Sequence, residues 1–283
     1  KETPLYERHH LPSGDEYSFG QQLEGGNDLH DLWKKATGPQ VLFLAQAVAN
    51  SSEDLKQLRD PLTWLQTGFM IVSGGMEGRA NSSQKLVKEH PILAEEISSF
   101  LQDVDVPVTN IRVDQIEPNS AEPVSSNKLM GLISSKPKSK TILTHRTALG
   151  EAEFDFQEES EGTKNLIGFW LPWSIHADSN FAKEKPTLVV DELDSSLHPE
   201  IVVSLVAKHL KSDSPAQLIF TTHDTHLMDA KLMRRDQFWL TERDSNGATQ
   251  LRSIHDFEGR GSEDMEKRYF EGRYRGLPFV RRG

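Results

Sequence analysis

The sequence predicts an α/β fold built on a parallel sheet, and three observations predict it. Two short, continuous apolar runs, TLVV at Thr187–Val190 and LIF within AQLIFTTHD, alternate with helical stretches. Strands of that texture are buried on both faces, as in parallel sheets covered by helices. The first run ends in two adjacent carboxylates, Asp191 and Glu192, and the second in Thr221, Thr222, His223 and Asp224. In open α/β sheets chemistry gathers at the carboxyl ends of the strands.

Along the chain, residues 1–36 read as polar and irregular, with GQQLEGGND as a flexible loop. GPQVLFLAQAVA reads as a short buried strand running into a helix. Leu55, Leu58, Leu62 and Leu65 keep near-helical spacing, which Pro61 should kink or split. IVSGGMEGRANSSQ reads as loop. Ile92, Leu93, Ile97, Phe100, Leu101 and Val104 give an amphipathic helix, followed by the alternating strand VTNIRVDQI. Residues 117–140, rich in Ser, Pro and Lys, read as a mobile loop. TILTHRT and EAEFDFQ read as a hairpin. Beyond residue 158 come a helix at GTKNLIGFWLPWSI, the strand TLVV, and a helix at PEIVVSLVAKHL with Pro199 in its first turn. The strand AQLIF follows, then a hairpin turning at Ser-Asn-Gly within FWLTERDSNGATQLRSI. The expected division is 1–150, a helical lobe with mobile loops, and 151–283, the sheet-bearing part.

Composition narrows the function. The 283 residues carry a formal net charge of -11 and no cysteine. Broad electrostatic attraction to nucleic acid is not expected, although Arg268, Arg273, Arg275, Arg281 and Arg282 crowd the C-terminus. A disulfide framework and a thiolate metal site are excluded. No apolar run approaches the roughly 20 residues of a membrane helix, and no signal peptide is visible.

The carboxylates carry the chemistry. An acid after four apolar strand residues is the arrangement used by nucleotide hydrolases. There the first carboxylate holds Mg²⁺ and the second orients or deprotonates the attacking water. The bland alternative makes both acids solvated turn residues before the next helix. EESEGTKNL places Ser160, Gly162 and Thr163 at a helix start, where small groups and backbone N–H form an anion site. TTHD suits a side chain reaching a phosphate oxygen.

In this order and spacing the segments resemble the C-terminal half of an ABC-type ATPase head, a P-loop NTPase fold, as in SMC, RecF and OLD-like proteins. ESEGT resembles the signature motif, LVVDE the Walker B strand with its glutamate, LDSSLHP the D-loop, and TTHD the switch-histidine loop. The wording DELDSSLHP, AQLIFTTHDTHLMD and RRDQFWLTER, with the closing F-x-G-R-Y-x-G-x-P, is similar to ATPase subunits of bacterial anti-phage and abortive-infection systems of PARIS, Septu and RloAB type. The resemblance is specific across residues 150–280 and looser over 40–150, which fits an inserted helical and strand region.

The resemblance implies ATP and Mg²⁺ as cofactors. Asp191 would assist the metal, Glu192 would polarise the hydrolytic water, and His223 would contact the γ-phosphate. Ser160, Gly162 and Thr163 would cap ATP bound to the opposite protomer, and Asp194, Ser195 and Ser196 would cross the dimer interface. Lys164 and Asn165 are assigned no individual role. The implied partners are a second copy in a homodimer or higher oligomer, an effector nuclease or toxin, and a phage trigger protein. DNA is left open, no membrane is implied, and the implied location is the bacterial cytoplasm. Two alternatives stand beside this one: an ATP-stabilised scaffold that sequesters and releases an effector, and a DNA-repair ATPase of RecF or SMC type.

One departure is large. G-x-x-x-x-G-K-[ST] occurs nowhere in the chain. GGMEGRANSS is the nearest glycine-rich stretch, and it lacks the lysine and, as read, a preceding strand. The expectation is that the phosphate loop lies on an upstream segment or on a partner, and that hydrolysis requires it. A two-metal or Toprim cluster at Asp191, Glu192 and Asp194 fits less well, because it needs a glutamate and a D-x-D on separate strands. His223 and His226 lack an obvious third metal ligand. Trp33, Trp64, Trp170, Trp173 and Trp239 read as core or interface, and YFEGRYRGLPFV as a tail packing back on the sheet.

Overall fold

The computed structural model describes residues 3–73, 77–115, 139–177, 187–259 and 264–277. Most of the loop expected at 117–140 lies outside them. The chain forms two compact units, Lys1–Met70 with Lys183–Thr187, and Ile71–Ala182 with Leu188–Gly283. The division expected near residue 150 falls inside the second unit, at the start of a strand.

In the first unit the segment read as irregular is ordered. Strands β1 (Tyr6–Leu11) and β2 (Gly14–Phe19) pair antiparallel, Tyr6 opposite Phe19 and Leu11 opposite Gly14. Gly14 supplies the positive φ of 119° that the tight turn requires. Helices α1 (Gly26–Ala36), α2 (Phe43–Ala49) and α3 (Lys56–Thr67) follow. The strand expected directly before α2 is absent, α2 following α1 through a non-strand segment, and Pro61 lies inside a single α3 rather than splitting it. Leu23, Trp33, Phe43, Ala47 and Leu58 form the core, flanked by Tyr6, Tyr17 and Phe19 from the hairpin. Tyr6 and Phe43 pack tilted, with ring centroids 4.5 Å apart. Aromatic pairing of this kind supports a unit too small for a large aliphatic core.

The second unit carries three sheets among the described residues, two of three strands and one of two. Strand β3 (Phe69–Val72) enters it, and helices α4 (Glu77–Glu89) and α5 (Leu93–Gln102) follow. The glycine-rich stretch therefore does follow a strand, and a helix replaces most of the expected loop. In α5, Ile97 and Leu101 are fully buried, as the sequence periodicity requires. Strands β4 (Val108–Gln115), β5 (Ser139–Thr147) and β6 (Gly150–Asp155) form an antiparallel meander. Helix α6 (Glu161–Ala177) is buried without interruption from Thr163 to Trp170. A helix apolar all round belongs in an interior, and the buried Ser83 hydroxyl of α4 donates to Ile167 O of α6 at 2.8 Å.

Strand β7 (Thr187–Val190), helix α7 (Pro199–Lys211) and strand β8 (Gln217–Phe220) complete the α/β part. The strand order is β3-β7-β8. Gly68 O accepts from Thr187 N and Val72 O from Asp191 N, four residues on along each chain, so β3 and β7 run parallel. His198 caps α7, its Nδ1 accepting from Glu200 N, with Pro199 at the first helical position. Strands β9 (Trp239–Arg243) and β10 (Thr249–Ser253) form the hairpin expected at Ser-Asn-Gly, with Gly247 at φ 82°. Helix α8 (Met265–Phe270) leads to Tyr274, which is buried with Met228, Ile254 and Met265. Among the tryptophans, Trp33 and Trp170 are core, whereas Trp64 and Trp239 are about half exposed.

The C-terminal ends of α6 and α7 meet through His176 and His209, Nε2 to Nδ1 3.1 Å apart. His176 is 2% exposed. Burial, and then the neighbouring imidazole, push its pKa down to about 4 from 6.5. Above pH 6.5 the group is neutral whether folded or unfolded and contributes nothing. As the pH falls from 6.5 towards about 4, only the unfolded chain takes up the proton, so folding stability is lost across that window. In His176→Leu the fall in melting temperature over the same window should be smaller than in the parent. An equal fall would remove this pair from the account.

Candidate functional site

The site begins where β7 ends. Leu188 and Val190 are buried, and Asp191 and Glu192 are exposed one residue later. Both acids lie in a turn rather than on the strand, so strand alternation does not set their directions. Glu192 adopts φ 53°, in the left-handed region, and Ser196 adopts φ 58°. For a residue with a Cβ that conformation costs about 1–2 kcal/mol. Leu193, 1% exposed, is driven back into the core immediately afterwards. Ser195 N donates to Glu192 O, and Leu197 N to Asp194 O, which builds two successive turns through the sequence LDSSL.

The first residue after β8, Thr221, holds this turn. Its hydroxyl donates to Asp191 Oδ1 at 2.6 Å and accepts from Glu192 N at 2.8 Å. Its backbone N donates to Val190 O and its carbonyl accepts from Leu193 N. The sequence reading aimed TTHD at a phosphate oxygen, but the Thr221 hydroxyl is committed to the acids. His223 is exposed two residues further on. Asp224 Oδ1 accepts from His226 N and lies 2.7 Å from His226 Nδ1, and this carboxylate holds the His226 pKa above the ordinary imidazole value.

The second element is the start of α6. Ser160 Oγ accepts from Thr163 N at 3.1 Å and lies 2.9 Å from Thr163 Oγ1, so Ser160 and Thr163 close the helix N-terminus together. Gly162 lies against the turn after β7: a Cβ there would stand 2.7 Å from Ser196 O. Asn165, 8% exposed, donates from Nδ2 to Ser195 O at 3.0 Å. Ser160, Gly162 and Thr163 are thus joined to Ser195 and Ser196 within one unit. Asn165 and Thr221 make the connections; the sequence reading gave Asn165 no individual role and aimed Thr221, within TTHD, at phosphate, whereas each reaches a segment about thirty residues away.

The donor set at Asp191 and Glu192 is carboxylate oxygen, which suits Mg²⁺, a cation usually held by one or two carboxylates plus phosphate oxygens and water. Thr221 engages one oxygen of Asp191. Among the described residues no group of three or more His, Cys, Asp or Glu gathers to hold a metal alone. A cation held by these two carboxylates would complete its shell with water or phosphate oxygens. Asp194 Oδ1 is buried without a hydrogen-bond partner among the described residues. No helix among them is long and apolar enough to cross a membrane.

Residues 83–229, just over half of the chain, match the family described as "AAA domain, putative AbiEii toxin, Type IV TA system". The chain belongs to this family, and the mixed α/β fold is that of its P-loop NTPase-like ATPase domains. It is thereby an ATP-binding domain of the ABC/AAA ATPase class. Among solved structures, a chain from a study of ATP-driven dimerisation and DNA-stimulated activation of SMC ATPases covers 60% of this chain and 88% of its own. The two share 15% identity with a TM-score of 0.37. No curated protein matches this sequence.

The packing of Gly162 reverses an ordinary expectation. Glycine to alanine in a helix usually stabilises by about 0.5–1 kcal/mol. At Gly162 the added methyl meets backbone that cannot swing away, and overpacking costs about 1–3 kcal/mol. Gly162→Ala should therefore melt lower than the parent. A higher melting temperature would show that the 195–196 turn yields freely.

Proposed function

We propose that this chain is the hydrolytic and nucleotide-capping part of an ABC-type ATPase head, working in a bacterial anti-phage complex whose effector is a nuclease or toxin. The observation that carries the reading is the pair of exposed carboxylates at the end of β7, set on a left-handed turn and bonded to the end of β8. Solvated acids that merely precede a helix need neither feature.

In this reading Asp191 offers its carboxylate to Mg²⁺, and Glu192 orients and deprotonates the attacking water. His223, exposed beyond β8, reaches the γ-phosphate. The ion supplies neutralisation of charge on the phosphate oxygens. Ser160, Gly162 and Thr163 present backbone N–H and hydroxyl groups at the start of α6 to the ATP of a second head. Asp194, Ser195 and Ser196 cross the interface between the two heads, where Asp194 Oδ1, buried without a partner among the described residues, takes a donor from the second copy. ATP thus joins two copies, and its turnover gates the effector. The phosphate loop that completes each site is supplied outside the motifs of these 283 residues.

Removal of a general base costs about 10²–10⁴-fold in rate. Glu192→Gln should lose turnover by that factor while ATP binding is retained, measured by phosphate release and by nucleotide titration. Unchanged release would remove Glu192 from this role. Ser160→Arg should abolish ATP-dependent association. Dimers that persist in light scattering would count against the trans-capping role of α6.

A further inference from the structure

We propose that Thr221 is a positioning residue for hydrolysis, acting through Asp191 and Glu192 without touching the nucleotide. This rests on the reading of those acids as metal-holding and water-activating groups. A hydroxyl has one hydrogen to give and lone pairs to accept with. At Thr221 the hydrogen goes to Asp191 Oδ1 and a lone pair receives Glu192 N–H. With its backbone N bonded to Val190 O and its carbonyl to Leu193 N, one residue engages four consecutive residues, from 190 to 193.

The arrangement is more specific than stability requires. Thr221 and both acids are exposed, where water competes for every hydrogen bond and the net gain from each is small. The same bonds fix direction. The Asp191 carboxylate is set by a short, charge-assisted bond. The Glu192 side chain leaves the backbone along a direction set by its left-handed φ, and the bond from Glu192 N to Thr221 Oγ1 holds that φ. β-Branching restricts χ1 of Thr221, so the hydroxyl stays aimed. Misplacing a catalytic group by about 1 Å can cost 10²-fold in rate.

The test compares Thr221→Val, which keeps the shape without the hydroxyl, with Thr221→Ser, which keeps the hydroxyl. Both are made in the ATP-hydrolysing assembly that contains this chain. Thr221→Val should lower kcat by about 10–100-fold, leave KM for ATP nearly unchanged, and raise the Mg²⁺ concentration needed for half-maximal turnover. Thr221→Ser should restore kcat to within a few-fold. Parental kcat in Thr221→Val, beside an inactive Glu192→Gln, overturns this proposal and leaves the role of Glu192 standing. Parental kcat in Glu192→Gln overturns the underlying reading of the acids instead. If Thr221→Val melts without cooperativity, Thr221→Ala replaces it. A loss of kcat no larger than the loss of folded protein, or one that Thr221→Ser shares in full, also overturns the proposal.

Discussion

The reversal of the chain at Glu192 is the constraint on which the site depends. β7 leaves a buried sheet and must expose two carboxylates before Leu193 returns to the core. One residue is available for that change of direction, and a left-handed backbone achieves it. Burying a leucine side chain is worth about 1.5–3 kcal/mol, and the strained residue costs about 1–2 kcal/mol. Leu193 therefore roughly offsets the conformation of Glu192, and the bonds from Thr221 decide which of the remaining orientations is occupied. Strain at a single non-glycine residue persists where its surroundings determine it this completely.

The same turn explains why α6 is so thoroughly buried. Its first turn begins at the surface with Ser160, yet it must also receive the 195–196 backbone closely enough that Gly162 has no room for a side chain. A helix held by one face could tilt. One buried from Thr163 to Trp170, and fixed to α4 through Ser83 Oγ, has little freedom to do so. Precision at the helix N-terminus is thus supplied by apolar packing further along the same helix.

The sequence made the second half of the chain legible and the first half much less so. TLVV, AQLIF and the 239–253 hairpin announce themselves because continuous apolar runs and a Ser-Asn-Gly turn have few alternative structures. The β1–β2 hairpin is hard to read because YERHHL and GDEYSF carry their few apolar residues among charged and histidine side chains. β3 was masked by the leucine spacing of α3, which ends only at Thr67. At the site, Asp191, Glu192, Ser160 and Gly162 carried a signal in their order along the chain. Asn165 carried none of its own, since a side chain that bonds to backbone leaves no complementary residue to look for, and Thr221 carried one only as part of TTHD, without its bonds to the acid turn. The one available cue was a β-branched hydroxyl at the end of a strand neighbouring the acidic one.

Under the proposed pairing of two heads, these contacts have a mechanical consequence. From the N-terminus of α6 the path runs from Asn165 Nδ2 to Ser195 O, from Ser195 N to Glu192 O, and from Glu192 N to Thr221 Oγ1. Each step is a hydrogen bond, and all three involve the strained turn itself. A ligand that draws on the Ser160 end of the helix therefore meets a body that already includes the acid pair. Under the proposed function, the group that caps one nucleotide and the group that activates water at another cannot be repositioned independently, because the Glu192–Ser196 turn has one conformation that satisfies Leu193, Thr221 and Asn165 together. Coupling of this kind needs no moving part between the two surfaces. It requires only that the turn resist bending, and the bonds on both sides of Glu192, with Asn165 on Ser195 O, give it that resistance.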